Sequence, residues 1–367
     1  MANPIASSAT SPSASRSLSG WVRRLALAGV VLGFCVVVLG AYVRLNAAGL
    51  GCPDWPGCYG HLTPIGAQQS TASQSAFPDR PLEVAKAWRE MIHRYAVSVL
   101  VLVIIAVAAL VLTSRARVVP RGYAAALLGI IVLQALLGMW TVTLLLNPLI
   151  VTLHLLFGLT TLSLLWWLYL WAPRGAWGQP VSSRVALSAA GDSAERVSRI
   201  LAITALCLLV AQIALGGWTS SNYAAVACPD FPKCQGAWLP DADFRNAFVL
   251  WRGLGVNYEG GILANPARVA IHLVHRFGAA TAGIGLLVAA LVTLRNSQRH
   301  IAHLAAICVL AALVLQLSIG VTMVLRGFPL WLATAHNGGA ALLLLATLAL
   351  VWSLSGRSSV LLRSRHI

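Results

Sequence analysis

Eight stretches of this 367-residue chain are apolar enough and long enough, at 1.5 Å per helical residue, to cross a hydrocarbon layer of about 30 Å. They fall near residues 25–43, 90–112, 123–145, 149–171, 200–218, 269–292, 301–324 and 330–354. Composition agrees with that reading. The chain is 58% hydrophobic and 10% charged, against about 25% charged in an ordinary soluble domain. One or two soluble cores could not hide so much apolar surface, so a soluble enzyme is excluded. The expected fold is an all-α membrane protein with eight transmembrane helices.

Net charge is +16, which in a soluble chain would point to nucleic acid. Here the basic residues sit in short runs between apolar stretches, the pattern of topology signals. One side collects Arg16, Arg23, Arg24, Arg115, Arg117, Arg121, Arg174, Arg184, Arg196, Arg199, Arg295, Arg299, Arg357, Arg363 and Arg365, with only Asp192 and Glu195 to offset them. That side carries +13 (15 basic minus 2 acidic) and the opposite side +3 (11 minus 8). The positive-inside rule then sets both termini in the cytoplasm and turns the two long loops, 44–89 and 219–268, outward. The first 24 residues resemble the n-region of a signal peptide, yet about 19 apolar residues follow, longer than the usual 7–15. An uncleaved first helix behind a disordered polar tail is expected.

The two outer loops repeat one another. Cys52-Pro-Asp-Trp-Pro-Gly-Cys58 in the first matches Cys228-Pro-Asp-Phe-Pro-Lys-Cys234 in the second, each 12 residues after a glycine, Gly40 or Gly216. His93-Arg94 matches His275-Arg276, and His154 matches His336; both histidine pairs are offset by 182 and both intervals are 61 residues. The chain therefore divides into two parallel four-helix bundles in tandem. The expected boundaries are a cytoplasmic tail at 1–24, an N-terminal half at 25–172, a linker at 173–198, a C-terminal half at 199–354 and a second tail at 355–367.

A histidine inside a membrane is costly without a partner. Two facing histidines from alternate helices of a four-helix bundle are how such a fold holds a haem iron. Structural hydrogen bonding between helices is the plainer alternative, and zinc or copper a further one, although two histidines per half are few for tetrahedral zinc. Arg94 and Arg276 suit carboxylates, so they are candidate partners for haem propionates. The remaining histidines, His61, His300, His303 and His366, carry no such pattern. Glu90 stands three residues before His93, whereas His272 stands three before His275. A carboxylate in one half only suggests proton work there, or else an ion pair with Arg94 one turn on. Facing an oxidising compartment, the four loop cysteines suggest disulfides. Three connectivities are open, and the prolines inside each heptapeptide favour the local pairs Cys52–Cys58 and Cys228–Cys234.

Taken together, the outer-loop motif, Glu90-x-x-His93-Arg94, the second His-Arg pair and the two-half layout resemble the haem A synthase family, over about residues 21–354. The resemblance implies an oxidoreductase of bacterial plasma membranes that converts the C8 methyl of haem O to a formyl group by two successive hydroxylations, giving haem A for terminal oxidases. It implies that His93 and His154 ligate the substrate haem iron, that Glu90 is the catalytic carboxylate, and that His275 and His336 ligate a haem b cofactor. It also implies haem O delivered by haem O synthase and an electron acceptor of unknown identity. No flavin or nicotinamide fingerprint is present to carry the redox chemistry otherwise. The alternative is a two-haem b-type electron-transfer protein, which gives no reason for Glu90 on one side; a transporter is a weaker rival. Small residues at Gly278–Gly283 would suit helix contacts within a chain or in a homo-oligomer.

Overall fold

The computed structural model of the chain describes residues 12–113, 119–172 and 189–355. Arg115, Arg117, Arg174, Arg184, Arg357, Arg363, Arg365 and His366 lie outside the described residues, as does the side chain of Arg16. So do residues 1–11 and 356–367 of the expected tails and 173–188 of the expected linker.

The described residues are helical and carry no named strand. In order they form α1 (Pro12–Leu45), α2 (Pro64–Gln69), α3 (Thr71–Ser75), α4 (Val84–Thr113), α5 (Arg121–Thr143), α6 (Pro148–Trp171), α7 (Ala189–Ser221), α8 (Phe244–Ala247), α9 (Asn265–Asn296), α10 (His300–Leu325) and α11 (Leu330–Leu354). Eight of these are long and apolar enough to span a membrane, and the chain is a multi-pass membrane protein. Several helices outrun their apolar segments. α1 starts at Pro12, so residues 12–24 are helical where a disordered tail was expected. α4 starts at Val84 instead of 90, and α7 at Ala189 instead of 200. Hydropathy marks only the lipid-immersed part, while a nucleated helix gains a backbone hydrogen bond for each residue added beyond it.

The packing follows the repeat. α1 packs on α4 and α6, and α5 on the same two, so α4 and α6 face one another diagonally across the first bundle. In the second, α7 and α10 each pack on α9 and α11, again leaving the histidine-bearing pair diagonal. The bundles meet through α1 against α11, its repeat mate α7 against α6, and α6 against α11. α11 is the most enclosed span, with 61% of its central window buried against 22–33% in the others. It touches α10, α1, α7 and α6.

Between lipid-solvated helices, cohesion comes from close packing and hydrogen bonds more than from apolar burial. Trp166 Nε1 on α6 donates to the Leu345 carbonyl on α11 at 2.9 Å. The outer loops join the halves as well, Arg80 to Glu259 at 3.0 Å and Tyr258 N to the Leu145 carbonyl at 3.0 Å. Gly278 meets Gln212 and Leu215 of α7, and Gly283 meets Leu313 of α10. That small-residue face is used within the chain. Both hairpins to the last helix of each half turn through left-handed residues, Leu145 and Leu146 in the first and Gly327 and Phe328 in the second.

Candidate functional site

His93 on α4 and His154 on α6 project from the diagonal pair of the first bundle, and His275 on α9 and His336 on α11 from that of the second. Each ring lies against a glycine of an adjacent helix. A Cβ placed on Gly40 would stand 3.0 Å from His93 Cε1, and one on Gly138 3.2 Å from His154 Cε1. In the second half the distances are 3.3 Å from Gly216 to His275 and 2.9 Å from Gly320 to His336. Any larger residue would push the ring. Glycine here makes room for the imidazole beside the backbone.

A glutamine accompanies three of the four. Gln134 Nε2 donates to the His154 carbonyl at 2.9 Å. Gln212 Nε2 lies 3.0 Å from both the His275 carbonyl and His275 Nδ1, and Gln316 Nε2 lies 3.3 Å from His336 Nε2. These amides were not singled out from sequence, yet Gln134 and Gln316 share the 182-residue offset of the histidines, as do Gly138 and Gly320. That offset was the signal available.

The rings are only part-buried, while Nδ1 of His93, His154 and His336 is buried without a hydrogen-bond partner among the described residues. At His275 the Gln212 amide N–H donates to Nδ1. Among the described residues no three His, Cys, Asp or Glu side chains gather as a metal-ion site, so closed tetrahedral zinc does not fit. Imidazoles in facing pairs, unspent nitrogens and a glycine clearing beside each ring do fit a haem held by two axial histidines.

Glu90 is buried near the N-terminal end of α4. Its Oε2 accepts from the backbone N–H of Cys52 at 2.9 Å, and Oε1 pairs with Arg94. The ion pair weighed from sequence is thus present, and it ties the carboxylate to the cysteine loop. Arg94 also donates to the carbonyls of Asp54, Pro56 and Gly57. Arg276 donates to those of Cys228, Asp230, Pro232 and Lys233. Both arginines, expected as propionate partners, spend their donors on clamping the loop above their histidine. Backbone carbonyls leave no trace in sequence, which is why this role went unread.

Each loop is closed by a disulfide, Cys52–Cys58 and Cys228–Cys234. Inside each, an aspartate gathers the turn. Asp54 accepts from Tyr59 N (2.6 Å) and Gly60 N (2.8 Å), and Asp230 from Gln235 N (2.6 Å) and Gly236 N (2.9 Å). The N–H of Gly236 foremost, together with that of Gln235 and the Arg276 charge, holds the exposed Asp230 carboxyl below the usual carboxylate range. Tyr59, packed under Cys52 and Cys58, has its phenol pushed up by burial. His272, the counterpart of Glu90, is buried edge-on to the Phe328 ring, and its Nδ1 has no partner among the described residues. His61 lies 2.9 Å from Ser73 Oγ in the first loop, away from the paired rings.

A family model described as cytochrome oxidase assembly protein matches residues 23–348 of the chain. A haem A synthase of Shewanella oneidensis is 40% identical over 341 residues, which is 92% of this chain and 97% of that protein. The chain belongs to the haem A synthase family. Haem A synthases of Rhizorhabdus wittichii and of a Caulobacter species are 27% and 28% identical, covering 90% and 88% of the chain and 92% of each relative. The match takes in both halves of the repeat, and Glu90 and the four paired histidines fall within it.

Proposed function

We propose that this protein oxidises the C8 methyl of haem O to a formyl group, yielding haem A, with substrate in the N-terminal half and a resident haem b in the C-terminal half. The observation that carries the division of labour is the asymmetry beneath the cysteine loops. Two otherwise matched histidine pairs differ by Glu90 in one half and His272 in the other. His93 and His154 would hold the substrate haem, and His275 and His336 the cofactor. Bound haem supplies one-electron redox chemistry that no side chain of this protein can.

The chain's own contribution is position and proton handling. The four glycines fix the depth of the imidazoles, and Gln212 holds the His275 ring in place through Nδ1 and the main-chain carbonyl. Arg94 and the Cys52 N–H aim the Glu90 carboxylate, which accepts the protons that leave as the methyl carbon is oxidised. The disulfide loops cap the outer mouths of the bundles and keep water from them. The +13 against +3 charge asymmetry supports both termini on the cytoplasmic side of a bacterial plasma membrane, with both sites near the outer leaflet.

A visible spectrum with haem extraction tests the reading. The purified full chain should show a low-spin b-type spectrum that His275→Ala and His336→Ala abolish. Glu90→Gln should keep that spectrum and accumulate haem O or its alcohol. An unchanged spectrum in both histidine variants, or normal haem A from Glu90→Gln, would overturn the assignment concerned.

A further inference from the structure

The outer end of α9 carries nitrogens that the reading above leaves unused. Arg268, His272 and His275 are spaced four and three residues apart, so they share one face of the helix. Arg268 stands two turns outward of His275, about 10 Å along the axis. Its Nε is buried with no hydrogen-bond partner among the described residues, and its guanidinium joins none of the ion pairs there. His272 Nδ1, one turn inward, is in the same condition. Tyr223 leads into Ala224 and Ala225, whose backbone faces His272.

Two acids of the surrounding loop are already taken. Glu259 is held by Arg80 at 3.0 Å. Asp243 accepts from Arg245 N, Asn246 N and Asn246 Nδ2 at the start of α8. The repeat sharpens the contrast. Lys86 stands 182 residues before Arg268 and pairs with Glu83 at 2.8 Å. A part-buried cation whose Nε lacks an acceptor, one turn from a histidine nitrogen in the same state, calls for an acceptor-rich anion.

We infer that Arg268, backed by His272, anchors a carboxylate of the haem held between His275 and His336, an inference that rests on the cofactor reading given above. The planar fork of the guanidinium takes a carboxylate through two parallel hydrogen bonds, and on this stripe the ligand edge that reaches Arg268 is the outer one. Arg276, whose donors go to loop carbonyls, does not serve this purpose.

The test uses the purified full chain with its bound haem and two readouts other than turnover, haem loss to excess apomyoglobin and the haem midpoint potential. Arg268→Gln should lose haem about tenfold faster or more. Its potential should fall, because a positive charge that favours the ferrous state is gone. Arg268→Lys, which keeps the charge without the fork, should keep most of the potential and lose haem at an intermediate rate. Lys86→Gln should match the parent in both. If His275→Ala abolishes the spectrum while both Arg268 variants keep parental haem loss and potential, the anchor is overturned and the cofactor reading stands. If His275→Ala leaves the spectrum intact, both fall together.

Discussion

Arg44 donates from its guanidinium to the main-chain carbonyl of Ser220 at 2.9 Å, and Ser220 occupies Arg44's own place in the second half, 176 positions on. The contact therefore joins the outer ends of the two repeat-mate helices, α1 and α7. α7 ends there, and its last carbonyls carry the negative end of the helix dipole. Arg44 supplies the charge that end lacks, and its guanidinium also lies 4.2 Å from the centre of the Tyr223 ring. One arginine serves both halves, which breaks the symmetry that the backbone keeps.

Arg44→Gln should loosen the junction between halves without touching either histidine pair. A hydrogen bond from a charged group contributes about 1.5–3 kcal/mol, so an apparent loss of about 2 kcal/mol is expected. Thermal unfolding in detergent, followed by intrinsic fluorescence, reads it. A melting temperature equal to the parent's would show that the junction is held elsewhere, by Trp166 and the Arg80–Glu259 pair.

Much of this architecture is legible in the sequence because both its signals are periodic. Eight apolar runs gave the spans, and the 182-residue offset between His93 and His275 gave the two halves. Helix ends were less legible. The extensions at Pro12, Val84 and Ala189 are polar helix outside the lipid, to which hydropathy is blind. The site was read unevenly for a similar reason. His93, His154, His275 and His336 stand out because polar rings are rare in apolar spans. Gln134, Gln212 and Gln316 stand out only through their shared place four residues before Gly138, Gly216 and Gly320, and Arg94 and Arg276 act on backbone carbonyls that every residue possesses.

The glycine clearings make a prediction that separates the halves. Gly320→Ala sets a Cβ 2.9 Å from His336 Cε1, and Gly138→Ala sets one 3.2 Å from His154 Cε1. Overpacking of this kind costs about 1–3 kcal/mol, or about 5- to 150-fold in affinity. Gly320→Ala should lower the content of b-type haem. Gly138→Ala should keep that haem and depress conversion of haem O. Gly129→Ala, with nothing within 4 Å of its Cβ, is the control and should change neither. Equal effects of the first two variants on b-type haem would contradict the assignment of one haem to each half.

The two disulfides should matter equally to stability and unequally to turnover. Both join cysteines six residues apart, a loop whose closure is worth about 2 kcal/mol on a chain-entropy estimate. Only the first loop holds the carboxylate proposed to be catalytic, through Cys52 N–H to Glu90. Replacing Cys52 and Cys58 with serine should therefore lower both melting temperature and haem A formation. Replacing Cys228 and Cys234 should lower the melting temperature alike and spare most of the turnover. Were the second pair to abolish haem A formation with the fold intact, the loops would be passing electrons, and their purely structural part here would be wrong.

Asp230 gives the second loop an acid limit. Its carboxyl is held below the ordinary value of 3.8 by the N–H of Gly236 first, and then by the N–H of Gln235 and the charge on Arg276. A carboxylate depressed in the folded state contributes its full stabilisation above the unfolded pKa and loses it as pH falls through the folded one. The turn should accordingly stay closed from pH 7 down to 3.8 and loosen only as pH falls further, through the depressed pKa of Asp230. Cys228 is fully buried, so a reductant reaches the disulfide only when the turn opens. Phosphine reduction, scaled to a free cyclic disulfide peptide at each pH, should be slow and flat above pH 4 and rise below it. Asp230→Asn removes the charge and should give a fast rate at every pH with no such rise. A parental rate that already climbs at pH 5, where Asp230 is still ionised, would place the latch on some other group of the loop.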